Sequence, residues 1–69
     1  MSQRLEDALE QLIDAHGLYN VTEALQQVCF GKSEHLAANW QDYPASKRWN
    51  RAGRAFDHTA ARLHKIQLD

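Results

Sequence analysis

Residues Asn20–Trp40, NVTEALQQVCFGKSEHLAANW, read as one helix of about 20 residues, roughly 30 Å long. Val21, Leu25, Val28, Cys29, Leu36 and Trp40 recur at helical spacing along one side, which is therefore expected to face the interior. Asn20 followed by Glu23 has the outline of a capping box, in which each side chain satisfies a backbone N–H near the other. Gly31 interrupts the stretch at a propensity cost of about 1 kcal/mol relative to alanine. Leu36 and Trp40 stay in phase with Leu25 and Cys29 across it, so continuity is favoured. The alternative is a break near Gly31, with Ser33 capping a short extra helix in a helix-turn-helix outline.

Two further helices flank this one. From Ser2, a candidate cap, to about His16, Leu5, Ala8, Leu9, Leu12 and Ile13 follow an amphipathic pattern, with Asp7, Glu10 and Asp14 opposite. Gly17 supplies the left-handed residue that ends a helix, and Leu18 folding back on Ile13 would complete a Schellman closure. A short turn, Gly17-Leu18-Tyr19, makes the first two helices antiparallel neighbours. Gln41-Asp42-Tyr43 forms the second turn, and a third helix starts at Pro44, since proline favours a first helical position. Ala45, Trp49, Ala52, Phe56, Thr59, Leu63 and Ile66 make its inner stripe almost to the C-terminus. Trp40 and Trp49 are expected in the core, bracketing that turn. Gly53 lies at the stripe's edge, where a missing side chain lets another helix approach. The fold class is therefore all-α, a small antiparallel three-helix bundle (up-down-up) formed as a single domain over residues 1–69.

At 69 residues the chain is near the lower limit for folding alone, and it gains from a partner or from self-association as an oligomer. Cys29 is the only cysteine, and its apolar surroundings point to a small buried hydrophobe in a reducing compartment. No apolar run is long enough to span a membrane, and the N-terminus lacks the pattern of a signal peptide. A cytoplasmic location follows as the expectation.

Charge is unevenly placed. Residues 1–42 carry two cations against seven anions, whereas residues 43–69 carry six cations against two anions. Lys47, Arg51, Arg54, His58, Arg62 and Lys65 fall on one helical stripe, opposite Trp49, Phe56 and Leu63. A solvated face usually mixes signs, and this one is nearly all positive. It reads as a solvated surface, as a dock for an acidic protein, or as a phosphate-binding ridge. The acidic balance, pI ≈ 6.4, and the lack of aromatic residues within the stripe weigh against nucleic acid. Asn50, a base-reading candidate, also lies outside it.

Catalytic and metal chemistry find little support. His58 and His64 are six residues apart, as are Cys29 and His35, so neither pair can chelate from one helix face. His16, His35, His58 and His64 read as exposed or capping histidines, with no metal and no cofactor implied. Cys29 and His35 do not form a dyad by local spacing, and no glycine-rich phosphate loop exists. Glu6, Glu10 and Asp14 fit a solvated helix face. Phe30, in a continuous helix, points away from the Leu25–Cys29–Leu36 stripe and shares its side with Gln26, Ser33 and Ala37. An aromatic there is a candidate interface anchor. The chain is therefore read as a non-enzymatic interaction or regulatory protein. Its basic stripe, with Phe30, docks on an acidic surface of a larger protein or on another copy. Nucleic-acid binding by the same cations is the second reading.

Overall fold

The computed structural model describes residues 2–66, with the side chain of Ser2 outside the described set. It contains three helices, α1 Ser2–His16, α2 Leu18–Asn39 and α3 Tyr43–Leu63, and no strand among the described residues. The all-α class read from the sequence is thus the observed one.

The boundaries differ from the expected ones for local reasons. Gly17 has φ 88 and ψ 149, a conformation in which a Cβ would be strained, and it alone connects α1 to α2. Its N–H donates to Ile13 O at 2.7 Å, and its own carbonyl accepts from Val21 N–H at 3.1 Å. One residue thus ends α1 and starts α2, in place of the expected three-residue turn and Schellman closure. The Asn20–Glu23 capping box does not form, because α2 already begins at Leu18. Instead Asn20 Nδ2 donates to His16 O at 2.8 Å, tying the two helices together. Glu23 accepts from Tyr19 Oη at 3.0 Å, and that bond, made only by the protonated phenol, raises the Tyr19 pKa above its ordinary value. Ser2, expected as the cap of α1, is instead its first helical residue.

Helix α2 passes through Gly31 unbroken. It closes with Trp40 N–H and Asp42 N–H both donated to Leu36 O, and Gln41 takes φ 50 between them. Asp42 then caps α3, its Oδ1 accepting from Ala45 N–H at 3.2 Å, so α3 begins at Tyr43, one residue before the expected proline. It ends at Leu63. Lys65 and Ile66 continue in turn-like backbone, and the expected extension beyond residue 66 lies outside the described residues.

The packing of α2 against α3 organises the molecule. The helices run antiparallel: Ser33 meets Ser46, Phe30 meets Gly53, and the Tyr19 and His64 rings lie 5.2 Å apart. The buried residues are small: Thr22, Cys29 and Ser33 on α2, and Ser46, Gly53 and Ala60 on α3. The α3 set recurs every seven residues, two helical turns, so it forms a narrow seam along the helix. Small side chains let the backbones approach closely, and the Phe30 ring fills the space over Gly53.

This seam corrects the expected interior. Of the Val21–Leu25–Val28–Cys29–Leu36–Trp40 stripe only Cys29 is buried, while Leu25, Val28 and Trp40 are exposed, Trp40 at 70%. The face that packs is the neighbouring one, carrying Thr22, Gln26, Phe30, Ser33 and Ala37. On α3 the Trp49–Phe56–Leu63 side flanks the seam rather than filling it, and Trp49 is exposed. Neither tryptophan is a core residue. Trp40 Nε1 donates to His35 Nε2 at 3.2 Å, and Lys32 Nζ stands 5.3 Å over the Trp49 ring. That cation–π contact contributes about 0.5–1 kcal/mol at an exposed site.

Helix α1 touches α2 and has no contact with α3. Leu12 and His16 line an open crevice with Asn20, Val21 and Ala24, and Leu5, Leu9 and Leu12 are all exposed. The molecule measures 42 × 30 × 16 Å with a radius of gyration of 14.0 Å, against about 11 Å for a compact globule of this length.

A substitution at the seam tests the packing. A methyl at Gly53 would lie 2.6 Å from Phe30 Cδ1. Gly53→Ala is therefore expected to lower stability by about 1–2 kcal/mol, despite its gain in helix propensity of up to about 1 kcal/mol. In a Phe30→Ala background the ring is gone, and the same change is expected to stabilise. Thermal denaturation of the four variants in this cycle measures that reversal of sign.

Candidate functional site: a basic groove along α3

Helix α3 carries the candidate site because its polar and apolar residues separate around the axis. Lys47, Arg51, Arg54, His58 and Arg62 lie within the helix on its outer side; Lys65 falls just past its end. All six are exposed, and none takes part in a side-chain hydrogen bond among the described residues.

The structure gathers the first three into an open groove of about 490 Å³, lined by Lys47, Arg51 and Arg54 with Ser33, Tyr43, Ser46 and Asn50. His58, Arg62 and Lys65 are not among its lining residues and continue the basic surface along the chain. Phe30 is not part of an open partner surface. It does share a side with Gln26, Ser33 and Ala37, as its helical position requires, but that side faces α3. The half-buried ring lies on Gly53 inside the same chain.

The floor of the groove is a reciprocal serine pair. Ser33 Oγ donates to Ser46 O at 2.8 Å, Ser46 Oγ donates to Ser33 O at 2.7 Å, and the two hydroxyl oxygens are 2.9 Å apart. Ser46 N–H is already bonded to Asp42 O at 2.9 Å in the first turn of α3. The pair therefore pins the start of α3, and with it Lys47, to the middle of α2. Thr22 Oγ1 donates to Leu18 O at 2.8 Å within α2, and no buried side-chain nitrogen or oxygen among the described residues lacks a partner. The seam is polar yet satisfied.

Tyr43 and Asn50 were outside the basic stripe as read from the sequence, and the structure adds them to the groove. Their spacing carried a signal: Tyr43 is four residues before Lys47, and Asn50 is four before Arg54. Tyr43 is 57% exposed, so its ring is open to a ligand. Ser33 and Ser46 had no comparable signal, because their meeting depends on the rotation of α2.

The arrangement can bind anions. Two guanidinium groups and an ammonium on successive turns offer fork-shaped and point-charge donors, and Asn50 adds an amide. The groove's lining residues include no carboxylate, thiol or imidazole. Among the described residues no three His, Cys, Asp or Glu side chains stand together as a metal site. No described helix is long and apolar enough to cross a membrane. Comparison with known proteins gives no matching family model, no matching curated protein and no matching solved structure.

The serine pair yields a double-mutant test. Ser33→Ala and Ser46→Ala are each expected to cost about 1 kcal/mol, and the double variant less than their sum, because both hydroxyls are then removed together. Urea denaturation of the four proteins reads the coupling; strict additivity would show that the two hydroxyls act independently.

Proposed function

We propose that this protein is a non-catalytic association module that docks through the basic groove of α3 on an acidic surface of a larger protein. One observation carries the reading. Lys47, Arg51 and Arg54 line a single concave surface, exposed and free of internal side-chain hydrogen bonds among the described residues. A concentration of like charge costs self-repulsion, which an acidic partner would relieve. The groove's remaining lining, Ser33, Tyr43, Ser46 and Asn50, is neutral, so selectivity would rest on shape and hydrogen bonding around a cationic centre.

Tyr43 and Asn50 favour a second reading, nucleic-acid binding. An exposed aromatic ring and an amide beside three cations provide stacking, edge contacts and phosphate contacts together. Net charge of −1 gives that reading no long-range support.

The two readings separate by salt and nuclease. Docking on protein is expected to give capture of a defined partner from lysate that survives nuclease treatment. Arg51→Glu combined with Arg54→Glu is expected to weaken it at least tenfold, about 1.4 kcal/mol, with unchanged far-UV circular dichroism. Nucleic-acid binding would instead give affinity for arbitrary single strands, falling with log salt at a slope of about −2 for three phosphate contacts. Undiminished capture by the doubly reversed variant would remove the groove from either function.

A further inference from the structure

The opposite side of the α2–α3 pair presents a different surface. Val28, Leu36 and Trp49 line an open crevice of about 440 Å³ with Gly31, Lys32 and His35. At about 100° per residue, Trp49 is well over a third of a turn from Arg51, so this crevice and the basic groove lie on separate faces. Leu25 stands one turn before Val28 and is exposed as well. Helix α1 adds Leu5, Leu9 and Leu12, all exposed, with Leu5 at 62%.

Three quantities say what covers these faces. The chain exposes 5916 Å², whereas a folded monomer of 7.9 kDa exposes about 4,400 Å². The excess is about 1,500 Å² per copy, so two copies burying it would share about 3,000 Å², within the range of obligate homodimers. The molecule is also flat, 16 Å along its shortest axis, because no third helix stacks on the α2–α3 pair.

The chain's own α1 is poorly placed to do so. Antiparallel helices are joined by loops of about 2–5 residues, and here Gly17 stands alone between His16 and Leu18. Bonds into and out of Gly17 hold both helices up to it, which leaves no chain to reverse α1 flush along α2. A second copy's α1 has no such tether. Charge agrees at the crevice itself: its lining includes Lys32 and no carboxylate, whereas residues 2–16 carry one cation and four anions, net −3. Lys32, over Trp49 at the crevice, is positioned to meet Glu6, the α1 carboxylate that flanks the leucine stripe at helical spacing.

We infer that two copies of this chain pair reciprocally, the leucine stripe of each α1 seating on the Val28–Leu36–Trp49 crevice of the other. The arrangement is an exchange of equivalent helices about a two-fold axis, and it leaves both basic grooves facing outward. It does not depend on what those grooves bind.

Light scattering after size exclusion tests the pairing. The protein is expected to run at twice 7.9 kDa, with a melting temperature that rises with concentration. Leu9→Lys is expected to shift the mass to that of one chain while circular dichroism retains the α2–α3 helices. Inserting about four Gly/Ser residues after Gly17 gives α1 the slack to cover its own crevice, and is expected to yield a stable single-chain species. A wild-type mass of one chain at all concentrations overturns the inference. So does a dimer that survives both Leu9→Lys and the insertion, since its contact would then lie elsewhere.

Discussion

The close approach of α2 to α3 along a line of small residues is the constraint from which the other features follow. Ser46, Gly53 and Ala60 present almost no bulk over two-turn intervals, and α2 answers with Thr22, Cys29 and Ser33. Phe30 is admitted at the seam itself, its ring occupying the space left by the absent Gly53 side chain. Polar atoms in such a seam are tolerable only when paired, and the Ser33–Ser46 exchange and the Thr22 bond to Leu18 pair them. The seam therefore holds by shape and hydrogen bonding more than by apolar volume.

That choice of seam decides what remains outside. Rotating α2 so that Thr22, Cys29 and Ser33 face α3 leaves Leu25 and Val28 exposed, Val28 in one crevice with Trp49. The same rotation brings Ser33 under the first turns of α3 and so beneath Lys47, Arg51 and Arg54. One side of the hairpin becomes apolar and the other cationic. A two-sided plate of this kind is suited to linking surfaces, and the proposed functions of both sides rest on that geometry.

Helix content was legible in the sequence, and so were the roles of its punctuating residues. Gly17 ends α1 at positive φ, Asp42 and Pro44 mark the start of α3, and the helical phase across Gly31 correctly indicates continuity. Gly53 was readable as a place of close approach. The interior was not, because periodicity ranks residues by apolarity, whereas here the buried line is small and partly polar. Leu25, Val28, Trp40 and Trp49 satisfy the pattern of a core stripe and lie outside; Ser33 and Ser46 violate it and lie inside. The basic groove was half legible: its cations follow from helical spacing alone, but its floor depends on the rotation of a second helix. The seven-residue recurrence of Ser46, Gly53 and Ala60 marks the buried line of α3, but nothing local to α2 marks the rotation that brings Ser33 to it.

The orientation of α2 on α3 is most directly tested by through-space proton contacts in solution. The structure requires the ring protons of Phe30 to show strong contacts to the α-protons of Gly53, and the β-protons of Ser33 to those of Ser46. Contacts from Leu25 and Val28 to Gly53 and Ala60, with Phe30 giving none to α3, would contradict it, because the helix would then present its apolar stripe to the seam.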